Sequence, residues 1–214
     1  VTTNTGNTPP TVSVPAGGFT IPINTPFELT GSATDTENPN SLTYCWEEYD
    51  LGPSGSPNSP SGNAPIFRSF SPVVSPSRTF PKTSDLLNNT QTIGEILPSY
   101  TRNLSFRLTV RDNAPYSSTS PISVGQTQFA NMVVTVSNTS GPFAVTSPNS
   151  AVTWAGNSSQ TVTWSVNNTT AAPVSCANVK ISISTDGGNT FSTLVASTAN
   201  DGSELVTIPN TPST

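Results

Sequence analysis

Oxygen-bearing side chains collect near the ends of two apolar segments, 42–47 and 104–111, and they are the residues of this chain best suited to hold a metal ion. Hard oxygen ligands from neighbouring loops are what calcium requires. If the two segments are adjacent strands, these side chains meet at one end of a sheet and form a calcium site. The alternative is a set of solvated turns and caps, and the spacing does not match an EF-hand loop. The candidate ligands are Asp35, Glu37, Asp112 and Asn113.

The chain has few side chains that are suited to proton transfer. Histidine is absent from all 214 residues, and only 9% of them are charged. Glu47 and Glu48 resemble a glycosidase pair, but adjacent strand residues point to opposite faces and cannot flank one bond. The sequence therefore argues against an active site within this chain.

Aromatic side chains offer a second kind of site, a flat surface on which sugar rings stack. Most of the aromatic residues, Trp46 among them, fall at positions whose alternation predicts burial in a core. The remaining candidates for an exposed surface are Tyr49, Tyr100, Tyr116 and Trp154.

The segment 184–191, Ser-Thr-Asp-Gly-Gly-Asn-Thr-Phe, matches the Asp-box pattern S-x-D-x-G-x-T-aromatic known from sialidase-type propellers. A propeller repeats this motif in each blade, whereas here it occurs once. We interpret it as a device that stabilises a hairpin. Asp186 is expected to accept hydrogen bonds from turn amides, Gly187 or Gly188 to take a positive φ, and Phe191 to pack beneath the turn.

Alternation of apolar and polar residues predicts the strands that must position these groups. In segment 42–47 the inward residues are Leu42, Tyr44 and Trp46. In segment 104–111 they are Leu104, Phe106, Leu108 and Val110. We expect these two segments to be neighbouring central strands of one sheet. Further strands are predicted at 11–14, 19–23, 27–31, 128–136, 144–146, 151–154, 161–166, 179–184, 192–196 and 204–208.

Residues 51–103 separate the two central strands and are crowded with Pro, Ser, Gly and Asn. Loops of this length are uncommon. Single helical turns are predicted at 84–87 and 92–97, which favours a folded insert. Its role is either a surface flap that covers a sheet face or a ligand-binding loop.

The fold predicted from this pattern is all-β, with two tandem β-sandwich domains of the Ig-like or PKD-like kind. Residues 1–8 form a linker, 9–137 the first domain with the insert 51–103, and 138–214 the second, after a hinge at 137–142. The second domain has about six strands where about seven are usual, so its final strand is missing. Two explanations stay open: this is a fragment of a longer protein, or the open edge accepts a strand from a partner.

Cys45 and Cys176 fall on opposite sides of the predicted domain boundary, so a disulfide would tie the domains together. Two separate thiols are the alternative, because sequence cannot supply the geometry that decides.

The bulk composition excludes some partners. A net charge of −5 with seven scattered basic residues gives no surface for nucleic acid, and no apolar run approaches the roughly 18 residues of a membrane span. The opening VTTNTGNTPP lacks a charged and then apolar leader and predicts an excised or processed piece. Abundant Thr, Asn and Pro favour a secreted or cell-surface protein.

Three long stretches resemble the region that follows the reprolysin-like zinc peptidase domain in secreted Bacteroidota metallopeptidases. They are TPPTVSVPAGGFTIPINTPFELTGSATDTENPNSLTYCWEEYD, FRLTVRDN, and GPFAVTSPNSAVTWAGNSSQTVTWSVNNT through NVKISISTDGGNTF. The resemblance implies a PKD or cadherin-like first domain, an immunoglobulin or fibronectin-like second domain, and export by the type IX route. The zinc ligands of that family are histidines, so none of them transfers to a position of this chain, which also lacks an HExxH helix.

The expected function is therefore a non-catalytic accessory module of a secreted multidomain metallopeptidase or a cell-surface protein. It would act as a spacer, stabiliser or substrate-engaging part and contact other domains of its parent. The alternative is an adhesin or carbohydrate-binding module, calcium-dependent if the predicted site binds the ion, with an extracellular protein or glycan as partner.

Overall fold

A computed structural model describes residues 6–119 and 121–211. This part of the chain is all-β, with thirteen strands and one short helix, α1 (Thr83–Asn88). No helix in the described part is long and apolar enough to cross a membrane. The strands are β1 (Thr11–Ser13), β2 (Phe19–Pro22), β3 (Phe27–Thr30), β4 (Ser32–Thr34), β5 (Thr43–Glu48), β6 (Ser77–Phe80), β7 (Arg102–Arg111), β8 (Thr127–Ser137), β9 (Ala144–Ser147), β10 (Ser159–Ser165), β11 (Asn178–Ile183), β12 (Ser192–Ala199) and β13 (Ser203–Thr207).

The first half of the chain, strands β1 to β8, contains one four-stranded sheet in the order β2-β8-β7-β5. Within it β2 runs parallel to β8, and the other neighbours are antiparallel. The two strands predicted to be neighbours are paired, with Trp46 opposite Leu108. Only β7 is central, however, because β5 is the edge strand of this sheet. Two short antiparallel pairs, β1-β4 and β3-β6, complete this half.

One hydrophobic core joins the four-stranded sheet to the β3-β6 pair, since Leu29 of β3 and Phe80 of β6 cluster with buried residues of the larger sheet. The alternation predicted for β7 is confirmed, because all four of its inward side chains are fully buried. Those side chains are Leu104, Phe106, Leu108 and Val110. Rings of Phe27, Phe67, Phe80 and Phe106 meet with centroids 4.8 to 6.2 Å apart, so aromatic packing dominates one end of this core.

The insert 51–103 is folded and supplies part of this core. Ile66 and Phe67 are buried, and β6 within the insert pairs with β3. The helical turn predicted at 84–87 is confirmed as α1. The segment predicted at 92–97 forms a turn that is not helical: Glu95 N–H donates to Thr92 O at 3.1 Å, but Gly94 has a φ of 76°, and Glu95 forms a β-bridge with Phe67.

The second half, strands β9 to β13, forms a three-stranded sheet in the order β13-β10-β9 and a separate pair, β11-β12. Trp164, Val206 and Ile208 are its buried apolar residues. The prediction of a strand at 151–154 is wrong. Strand β10 already has β13 on one edge and β9 on the other, so this segment has no place in that sheet.

Candidate functional site

The predicted calcium ligands Asp35 and Asp112 lie at one end of the first half and are joined by a chain of hydrogen bonds. The Asn7 side-chain amide donates to Asp112 Oδ2 at 2.6 Å, and Asn38 donates to Asn7 Oδ1 at 2.9 Å. The backbone N–H of Asn38 in turn donates to Asp35 Oδ1 at 2.5 Å. Asn7, which the sequence assigns to the linker, is buried and ties the start of the described chain to the sheet.

Asp112 is fully buried, and its Oδ1 accepts the N–H groups of Ala114 and Gln126 at 3.0 and 2.8 Å. With the Asn7 bond, both of its oxygens are engaged. Asp35 differs, because its Oδ2 is buried without a hydrogen-bond partner.

The other two predicted ligands, Glu37 and Asn113, are exposed and bound to turn groups. Glu37 accepts from the Thr8 hydroxyl at 2.9 Å, and the Asn113 amide donates to Ser41 O at 2.6 Å. Within the described residues no group of three or more His, Cys, Asp or Glu side chains is arranged to hold a metal ion. The calcium site stays a prediction.

A buried ion pair connects the first half to its insert. Glu48 Oε2 accepts the N–H groups of Ile66 and Phe67, both at 2.8 Å. Its Oε1 lies 3.3 Å from Arg102 Nη2, which also lies 3.9 Å from Asp50 Oδ2. Because the Glu48 and Arg102 side chains have at most 2% exposure, this contact is sealed from solvent and fixes the insert on the sheet.

Burial raises the pKa of Glu48 from its ordinary 4.5 to about 7. The two backbone N–H donors favour the ionised form, but the loss of hydration outweighs them. A carboxyl group that titrates near neutrality is typical of active sites. Here its oxygens face the N–H groups of Ile66 and Phe67 and the side chains of Arg102 and Asp50, so the group fixes the insert on the sheet.

A second buried carboxylate, Glu95, repeats this arrangement. Its Oε1 accepts from Arg78 Nη2 at 2.7 Å, and its Oε2 accepts the N–H of Lys82 at 3.0 Å. Arg78 also donates to the carbonyl oxygens of Trp46 and Arg68. The side chains of Glu95 and Arg78 are 0% and 13% exposed, and this burial raises the pKa of Glu95 and lowers that of Arg78.

Among the aromatic candidates, Tyr49 lies on the outer face of the four-stranded sheet and is 39% exposed. The guanidinium of Arg107 lies 4.9 Å from the centroid of its ring and 4.0 Å from that of Phe129. Arg107 Nε donates to Asn131 Oδ1 at 3.0 Å, which holds the guanidinium in place. We call Tyr49, Arg107 and Phe129 the outer-face triplet.

The other three candidates have different surroundings. The Tyr100 hydroxyl donates to Gly62 O at 2.7 Å and helps to fold the insert. Tyr116 is 75% exposed in the loop that follows β7, and Trp154 is half-buried beside an apolar cavity of the second half. The structure therefore does not bring the four predicted aromatics into one platform.

The Asp-box turn joins β11 to β12, as predicted. Asp186 accepts from the Thr190 hydroxyl, the Thr190 N–H and the Ser184 hydroxyl at 2.6, 2.9 and 2.8 Å. These bonds lower the pKa of Asp186 to about 2. Gly187 and Gly188 have φ of 70° and 85°. The expected packing of Phe191 beneath the turn is wrong, because its side chain is 58% exposed.

The two cysteines are separate free thiols. Cys45 is buried, and its Sγ donates to Phe70 O at 3.2 Å. Burial raises the pKa of this thiol, so it is poorly nucleophilic. Cys176 is half-buried, and its Sγ donates to Asn178 O.

Sequence reasoning missed the buried ion pair, although the alternation pattern carries its signal. Glu48 continues the inward series of Leu42, Tyr44 and Trp46, and Arg102 stands at the same parity as Leu104. Charged residues at two inward positions of neighbouring strands indicate a buried pair.

Comparisons with family models, curated proteins and solved structures give no match for this chain.

Proposed function

We propose that this chain is a non-catalytic accessory module of a secreted multidomain or cell-surface protein. The observation that supports this role is that its buried charged groups bond to the backbone and to one another. Glu48, Glu95 and Asp112 each accept hydrogen bonds from backbone N–H groups of loops, and Arg78 and Arg102 neutralise two of them. Such contacts stiffen a spacer and leave few ionisable groups for reaction chemistry.

The module consists of two tandem β-sandwich units. In the first, the β1-β4 and β3-β6 pairs face the four-stranded sheet, and a common core supports this assignment. In the second, the three-stranded sheet faces the β11-β12 pair. The segment between the units is hydrogen-bonded to both, since the N–H of Gly141 donates to Asn167 O and that of Phe143 to the Thr25 hydroxyl. The proposal that the parent protein is a peptidase is supported only by the sequence resemblance.

The proposal is tested with antibodies raised against this chain in its source cells. We expect the antigen in the medium or on the cell surface, as part of a polypeptide larger than 22.2 kDa. Purified chain is expected to cleave neither casein nor a mixed peptide library, with or without added zinc. A cytoplasmic antigen of 22.2 kDa, or turnover that copurifies with the chain, would contradict the proposal.

The outer-face triplet favours a second candidate function, the binding of a glycan or an extracellular protein. Two exposed rings that contact one guanidinium, at 4.9 and 4.0 Å, offer a stacking surface with a neighbouring amide, Asn131, for hydrogen bonds. A glycan array is the direct test. Binding is expected to be lost in Tyr49→Ala and Phe129→Ala and kept in Phe191→Ala, which removes an even more exposed ring elsewhere.

A further inference from the structure

The outer-face triplet contains a cation, Arg107, that no anion of the described residues neutralises. Its side chain is half-buried, and its Nε donates to Asn131 Oδ1. Its two terminal nitrogens, Nη1 and Nη2, form neither a hydrogen bond nor an ion pair with the described part of the chain. The N–H groups on these nitrogens are therefore left to bind a group from outside it.

The acidic side chain that lies opposite Arg107 in the sheet does not neutralise it. Glu47 is the register partner of Arg107 in the β5-β7 pairing, which is the usual position for a cross-strand ion pair. Its carboxylate instead accepts from the Ser69 hydroxyl at 3.0 Å and from the Thr109 hydroxyl at 3.2 Å. Ser69 belongs to the insert, so the folded insert engages Glu47 and Arg107 stays unpaired.

The surroundings of Arg107 favour a planar anion as its ligand. Strand β7 lies between β8 and β5, so the rings of Phe129 on β8 and Tyr49 directly after β5 contact the guanidinium from both sides. These contacts and the bond to Asn131 fix the guanidinium before a ligand arrives. Nη1 and Nη2 then present parallel N–H groups, the arrangement that a carboxylate binds with both of its oxygens.

The rest of the outer face favours a sugar over a protein as the carrier of this carboxylate. A cleft of about 530 Å³, which Asn131 also lines, continues the face beside the triplet. Apart from the triplet and Val133, the outward positions of β7 and β8 are polar, and they include Asn103, Ser105, Thr109, Arg111, Asn131 and Thr135. The centre of a protein interface is normally apolar and poor in charge, whereas amide and hydroxyl groups match the hydroxyls of a glycan chain.

We propose that the outer-face triplet binds an acidic polysaccharide, through a sugar that carries its carboxylate directly on the ring. The carboxylate pairs with Nη1 and Nη2 of Arg107, the sugar ring lies against the exposed parts of Tyr49 and Phe129, and neighbouring sugars extend over Asn131 toward the cleft. An acidic side chain of a protein offers the same carboxylate but no ring to pack on the two aromatics. This inference rests on the second candidate function, glycan binding, and is independent of the accessory role.

The test is calorimetric titration of the whole chain with a panel of tetrasaccharides that contain galacturonate, glucuronate, mannuronate or sialic acid, each beside its methyl ester. The ester keeps the sugar ring and removes the charge, so it should bind about tenfold more weakly or worse. Arg107→Gln should weaken binding of the best acid by a similar factor and abolish its advantage over the ester.

Arg111→Gln is the matched control, since Arg111 is an exposed residue of the same face of β7. The whole chain has a net charge of −5, so recognition of an acid depends on local pairing with Arg107 and not on general attraction. The control should therefore change the affinity by less than about twofold. Equal losses in Arg107→Gln and Arg111→Gln would overturn the proposal.

The remaining outcomes separate this inference from the function on which it rests. Equal binding of acid and ester, lost in Tyr49→Ala, would overturn the inference and leave glycan binding in place. A hexaglutamate peptide that competes as well as the best acidic sugar would overturn it too, because the sugar ring would then contribute nothing. Absence of binding by every acidic sugar would overturn the inference, and a silent array of neutral glycans besides would overturn glycan binding as well.

Discussion

Glu48 makes the stability of this protein depend on pH in an unusual direction. Its pKa is about 7 in the folded chain and 4.5 in an ordinary environment. Between these values the folded chain binds a proton that the unfolded chain releases. The resulting stabilisation is fully present below pH 4.5 and is lost as the pH rises through 7. We therefore expect the free energy of unfolding to increase when the pH falls from 8 to 5.

The magnitude follows from the two pKa values. At pH 8 the carboxyl is almost fully ionised in both states, and at pH 5 it is protonated in the folded state and mostly ionised in the unfolded state. Integrating the difference in bound protons gives a gain of roughly 2 to 3 kcal/mol from this group. Glu95, whose pKa is also raised, adds to the gain in the same direction.

The assay is urea unfolding of the wild type and of Glu48→Gln at pH 5, 6, 7 and 8. Because the amide resembles the protonated carboxyl, the difference between the two proteins should change by roughly 2 to 3 kcal/mol across this range, with the wild type relatively weaker at pH 8. Glu47→Gln is the matched control, since it removes the same charge from the opposite face of β5. Parallel profiles for wild type and Glu48→Gln would show that Arg102 keeps Glu48 ionised, and the reasoning would be refuted.

Three further predictions concern other parts of the chain. Asn200→Ala removes the acceptor for the Trp164 indole N–H and the donor to Cys176 O, so urea unfolding should show a loss of about 2 to 3 kcal/mol, against little change for exposed Asn189→Ala. Asp186→Ala should speed amide exchange within 184–191. Because the pKa of Asp186 is about 2, the amides of the wild-type turn should stay protected from exchange down to about pH 3. The calcium hypothesis predicts a higher Tm in millimolar calcium than in EDTA, and no such difference in Asp35→Asn. Identical wild-type curves would reject it.

Much of the strand pattern could be predicted because alternation reports directly on which face of a strand is buried. The pairing of β5 with β7 and the burial of Leu104, Phe106, Leu108 and Val110 follow from it. The Asp-box turn was predictable for a different reason, since its hydrogen bonds join residues within seven positions of one another.

The missed features depend on contacts between distant residues. Asn7 and Asp112 lie 105 positions apart, and nothing near Asn7 in the sequence indicates that it is buried. Strand β6 was missed because its alternation is short and lies inside a Pro- and Ser-rich insert, although pairing with β3 makes it part of the core. The neighbours of Tyr49 could not be predicted for the same reason. Arg107 and Phe129 come to lie beside it only when β5, β7 and β8 pair with one another.

The first half buries its apolar side chains more completely than the second half does. The first half has a fully buried apolar strand, β7, and ion pairs that fasten a long insert over its core. The second half has a polar hub instead, in which Asn200 bonds Trp164, Thr169 and Cys176 O while the apolar residues beside it stay partly open to water. A hub of this kind fixes the loops around a sheet but covers none of its apolar surface.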